Sequence, residues 1–145
     1  MKKLLFSMIV ICITLWFFNF SLFDRNTLTP FISDGCSMFP DGTIKQKELW
    51  LNCCIQHDYE YWQGGTYQQK VASDQALKIC VTDVGQPEIA ALMMTGVSVG
   101  GTAYLPTKFR WGYGWPYPRL YGALSIEEQK KVKALQPLTL NNAID

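Results

Sequence analysis

Cys53-Cys54-Ile55-Gln56-His57-Asp58-Tyr59-Glu60-Tyr61 holds the only histidine of the chain, so any imidazole chemistry has one address. A neutral imidazole accepts a proton near pH 7 and serves as a general base, and the carboxylate of Asp58 beside it suits a hard cation. Working outward, Trp50, Cys53, Cys54, His57 and Tyr61 fall at spacings of 3, 1, 3 and 4, one face of a helix predicted from Lys45 to about Trp62. Gly64-Gly65 ends it. A second helix is predicted from Thr66 or Tyr67 to about Val81, with Val71, Asp74, Leu77, Lys78 and Val81 at helical spacing. Asp74 then lies near the inward face, where an unpaired carboxylate is costly. Two explanations stand at this point: a partly exposed acid at the helix edge, or a carboxylate orienting His57 across an antiparallel helix pair.

The rest of the composition narrows the field. At 145 residues and 48% hydrophobic there is room for one modest domain plus a membrane segment. A net charge of +1, with Lys and Arg scattered, supplies no field for nucleic acid. Met1-Lys2-Lys3 precedes the uncharged stretch from Leu4 to Phe23, which is long enough to span a bilayer. The basic end should stay cytoplasmic, placing everything after Asp24 outside the cytoplasm. A cleaved signal peptide shares this layout, but no small-x-small site stands near Phe20 to Asp24, and an uncleaved anchor is expected. Cys12 falls inside that apolar stretch and is expected as a membrane-buried thiol.

Export changes the meaning of Cys36, Cys53, Cys54 and Cys80. In an oxidising compartment this even set predicts two disulfides. Adjacent Cys53 and Cys54 are poor partners for each other, which leaves two pairings open.

The expected organisation is a membrane segment over 1–23, a linker over 24–33 and one domain over 34–145. Within that domain, 34–84 form the core. Its loop, Asp34-Gly35-Cys36-Ser37-Met38-Phe39-Pro40-Asp41-Gly42, is dense in turn formers and suits a backbone bent to point carbonyls inward. Residues 89–121 are expected as a membrane-proximal aromatic region. Ile89 to Leu105 is an apolar run interrupted by Gly96, Gly100 and Gly101, expected as a buried or membrane-surface segment, with a second transmembrane helix as the rival. Lys108 to Arg119 is aromatic and basic: its rings suit the lipid headgroup level, or pack on the domain as a loop. Ser125 with Glu128 forms a capping box, so a polar helix is predicted over 125–135, before Pro137.

At the paired cysteines and His-Asp the chain resembles the secreted phospholipase A2 superfamily, whose hallmark is Cys-Cys-x-x-His-Asp followed shortly by Tyr. Here these are Cys53, Cys54, His57, Asp58 and Tyr61, and Asp74 to Cys80 matches the family's Asp-x-x-x-x-x-Cys segment. The resemblance covers roughly Asp34 to Thr82. A further family bridge would join the positions of Glu60 and Ser73, and both cysteines are missing together.

The resemblance implies a mainly α fold: two antiparallel, disulfide-linked helices with a metal-binding loop, carried here on an N-terminal membrane anchor helix. It implies the pairs Cys36 with Cys54 and Cys53 with Cys80. It implies calcium-dependent hydrolysis of the sn-2 ester of glycerophospholipids in a membrane. His57 activates water, Asp74 orients the ring, Tyr61 bonds to Asp74, and calcium is held by Asp58 and the carbonyls of Gly35, Ser37 and Phe39. The sequence departs from the family at the loop, where Cys-Gly-x-Gly is replaced by Cys36-Ser37-Met38-Phe39. The interval from His57 to Asp74 is also short, which implies a tight turn at Gly64-Gly65. The altered loop admits a second reading, a phospholipase-like module that binds lipid or protein without turnover. A zinc site from Cys36, Cys53, Cys54 and His57 is a third.

Overall fold

In the computed structural model residues 26–137 are described, and they contain four helices and no strand. These are α1 (Leu51–Gln63), α2 (Tyr67–Asp83), α3 (Pro87–Gly100) and α4 (Ile126–Leu135). The expected membrane segment and its Cys12 lie outside the described residues. Among the described residues no helix is long and apolar enough to cross a membrane. The apolar run at 89–105 instead gives α3, which buries Ala90 and Met93 against α2 and turns away at Gly101.

α1 starts later than the predicted Lys45. Pro40 O accepts from the Trp50 indole at 2.7 Å and Asp41 O from the Trp50 amide at 3.1 Å. These bonds draw the preceding residues into turns against the loop, so helical hydrogen bonding begins only after Trp50. α2 opens with a full capping box between Thr66 and Gln69, which satisfies two amides the helix itself cannot. α1 and α2 run antiparallel: Cys53 bonds Cys80 near one end of the pair, and His57 meets Asp74 further along.

Both disulfides follow the pairing implied by the resemblance, Cys36–Cys54 and Cys53–Cys80. With all four cysteines consumed, the zinc alternative is overturned. One bridge ties the loop to α1 and the other ties α1 to α2, beside a core of Trp50, Leu77, Val81, Ala90 and Met93. Replacing Cys53 and Cys80 together by Ser is expected to cost about 2–4 kcal/mol. The check is a lower urea midpoint in the double variant; an unchanged midpoint would show that the apolar core alone holds α1 on α2.

The aromatic and basic stretch takes the packed-loop alternative at its centre, since Arg110, Trp111 and Trp115 are buried. A helix leaves its last four carbonyls without intrahelical partners, and this strap supplies three of the four partners α1 needs. Gly64 N donates to Glu60 O, Gly112 N to Tyr61 O at 2.7 Å, Gly114 N to Trp62 O at 3.1 Å, and the Trp115 indole to Gln63 O at 2.8 Å. The approach is close: a Cβ on Gly64, whose φ is +71°, would lie 2.9 Å from Gly112 Cα. Residues 28–33, expected as linker, also belong to the packed body. Leu28 is buried with Trp62, Trp115 and Val132, and Thr29 O accepts from the Trp62 indole at 2.8 Å. α4 is fastened through Val132 and a 2.6 Å Arg119–Glu128 ion pair, with the predicted capping box at Ser125 and Glu128.

Candidate active site

α1 and α2 face each other one turn above the Cys53–Cys80 bridge, and there they bring His57 and Asp74 together. His57 Nε2 lies 3.0 Å from Asp74 Oδ1, with both side chains buried. An ionised carboxylate only accepts hydrogen bonds, so the neutral imidazole carries its proton on Nε2. Nδ1 is then the basic nitrogen, and it makes no hydrogen bond among the described residues. The Tyr61 hydroxyl donates to the same Asp74 oxygen at 2.7 Å. Tyr61 is itself held edge-on by Trp111, with ring centroids 5.1 Å apart. Gly101 lets this corner close, because a Cβ there would overlap the Tyr61 hydroxyl.

Asp74 therefore takes the orienting place and not the exposed helix edge; it is 2% exposed. Burial alone would raise its carboxyl. Hydrogen bonds from His57, Lys70 and Tyr61 outweigh that and hold it below the usual carboxylate range. Lys70 was not among the sequence candidates. Its ammonium lies 2.7 Å from Asp74 Oδ2 and donates to Val97 O of α3 at 3.0 Å. The available signal was the i,i+4 spacing of Lys70 and Asp74 on one helix.

His57, Asp58 and Tyr61 line a cleft of about 610 Å³ together with the loop residues Gly35, Ser37 and Phe39. Met38, Met93, Val97 and Phe109 make its walls largely apolar. The four candidate metal ligands thus share one cavity with His57. Gly35 and Ser37 both adopt left-handed backbone, at φ +75° and +56°, which bends the loop tightly. Asp41 Oδ1 accepts from Cys36 N at 2.9 Å and holds that bend. No described residue donates a hydrogen bond to the carbonyls of Gly35, Ser37 or Phe39.

Asp58 is paired with Ser33, whose hydroxyl donates at 2.6 Å. Sequence reasoning left Ser33 in the linker. Burial raises the Asp58 carboxyl to about 7, the Ser33 hydrogen bond pulls it down and Asp34 pushes it up again. No basic side chain pairs with it among the described residues. A half-buried acid without a counter-charge, lining the same cleft as carbonyls with no donor, is a donor set that fits a hard, oxygen-seeking cation. Among the described residues no three His, Cys, Asp or Glu side chains converge on one point, so such an ion would depend on backbone oxygens.

The raised carboxyl has a consequence for stability. Between pH 3.8 and about 7 the folded state keeps the Asp58 proton while the unfolded chain loses it. The folded state then binds more protons, so stability falls as pH rises through this window. In chelator, the thermal midpoint of the wild type is expected to drop from about pH 4 to about pH 8 relative to Asp58→Asn. Parallel midpoints by circular dichroism would mean that Asp58 is hydrated in solution.

Comparison with protein-family models, with curated proteins and with solved structures found no match to this chain.

Proposed function

We propose that this chain is a phospholipase A2-type hydrolase, which cleaves the sn-2 ester of glycerophospholipids in a calcium-dependent reaction. The observation that carries the reading is the 3.0 Å His57–Asp74 contact beside a largely apolar cleft. The chain has one imidazole, and it is oriented through Nε2 with Nδ1 left for chemistry. A cleft of this polarity suits acyl chains, and the two disulfides suit the extracytoplasmic side of a membrane.

In this reading His57 Nδ1 removes a proton from the water that attacks the ester carbonyl. Asp74 holds the ring and stabilises the imidazolium that forms, as the buried acid of a hydrolytic triad does. The same nitrogen then returns the proton to the glycerol oxygen as the C–O bond breaks, giving a fatty acid and a lysophospholipid. No covalent enzyme intermediate is formed. Asp58 with the carbonyls of Gly35, Ser37 and Phe39 would hold calcium, which supplies positive charge for the lipid phosphate and for the ester oxygen as it becomes negative.

The alternative is a lipid- or protein-binding module without turnover. Its support is the loop, where Ser37 stands in left-handed backbone and Asp34 is paired with Lys108 at 3.5 Å at the edge of the cleft. The experiment is fatty-acid release from mixed phospholipid vesicles by the full chain, with calcium and with chelator. Release that needs calcium supports the hydrolase. Vesicle binding by a folded, oxidised chain without release supports the module.

A further inference from the structure

We infer that Lys70 is a positioning residue for the His57–Asp74 pair, acting through the second oxygen of Asp74; the assignment rests on His57 being the base. Asp74 Oδ1 already serves two donors, His57 and Tyr61, and the Lys70 ammonium occupies Oδ2 at 2.7 Å. A carboxylate held at both oxygens cannot rotate to exchange them. Its acceptor therefore stays on His57 Nε2, and the imidazole proton stays there with it.

The placement of the lysine argues for this role over packing. Lys70 is 3% exposed, and an ammonium buried there is costly unless its charge is used. An unbranched apolar side chain would fill the same space without that cost. The i,i+4 spacing on α2 brings the two charges together within one helix, so the pair needs no tertiary adjustment to form. A second donor of the ammonium goes to Val97 O, on the helix that forms one wall of the cleft. Lys70 thus joins α3 to the carboxylate that orients the base. The pair also divides two cavities: His57 lines the cleft, while Lys70 and Asp74 line a second cavity of about 560 Å³ with Tyr67 and Tyr121.

The chain has a single histidine, so its tautomer can be read directly by long-range ¹⁵N–¹H correlation on the labelled full chain in detergent micelles. At one mildly alkaline pH the wild type is expected to show the Nε2–H form alone. Lys70→Met is expected to show both tautomers and to lower kcat for fatty-acid release by about 10–100-fold, with KM little changed. In an Asp74→Asn background the same substitution is expected to add no further change to either readout. Should Lys70→Met fail to fold, Lys70→Gln, of similar reach but without the charge, carries the same measurements.

An unchanged tautomer in a folded Lys70→Met chain would overturn the proposal. So would a loss of kcat equal in the wild-type and Asp74→Asn backgrounds, because a lysine that only stabilises the fold acts independently of Asp74. A wild-type chain that releases no fatty acid would remove the hydrolase reading, while the tautomer measurement would still decide whether Lys70 holds the pair.

Discussion

Replacing His57 by Gln is expected to lower fatty-acid release by about 10²–10⁴-fold, the range that a positioned general base contributes. Glutamine offers its amide to Asp74 and fills much of the same volume, but it has no nitrogen that takes up a proton near neutral pH. The fold should persist, because the imidazole adds little to the apolar core beside it, which is built on Trp50, Leu77, Val81 and the two disulfides. Circular dichroism on the same preparation checks this. Release that survives in His57→Gln would place the base elsewhere, and no second imidazole exists to replace it.

Trp111→Ala is expected to cost about 3–5 kcal/mol of stability, the range for removing a large ring from a packed interior. The ring is 1% exposed, its indole donates to Gly65 O at 2.8 Å, and its edge packs on Tyr61. Its loss leaves a cavity and a loosened Tyr61, and it removes one of the two donors to Gly65 O, leaving only Gly122 N at 3.0 Å. Urea unfolding measures the effect, and Trp111→Phe should recover part of it by refilling the space without the indole donor. A variant as stable as wild type that binds vesicles more weakly would instead mean that this ring serves the lipid surface.

The helical stretch around His57 was legible because its signal is periodic and local. Cysteines and histidine on one face and two glycines at the end belong to short-range patterns that survive without tertiary information. The same locality made Ser125 and Glu128 readable as a helix start. The start of α1 was misread for a complementary reason: residues 45–50 are compatible with a helix, and a long-range competitor, the bonding of Trp50 to Pro40 and Asp41, removes them from it. Ser33 shows the same limit, because its bond to Asp58 crosses a stretch in which no periodic pattern links the two positions.

The amino-acid sequence by itself determined the single imidazole, the even set of Cys36, Cys53, Cys54 and Cys80 and the two core helices; it offered His57 as a base, while the resemblance supplied the proposed cation donors. It left two readings each for Asp74 and for the aromatic strap, because composition does not say whether a charge or a ring finds a partner inside the protein. Only the tertiary structure decided those. It closed three sides of Asp74 with His57, Tyr61 and Lys70, and it spent the strap of residues 111–115 on the orphaned carbonyls of α1. The physical reason is common to both. A buried charge and a buried helix end each require partners, and those partners come from distant positions that only folding brings near.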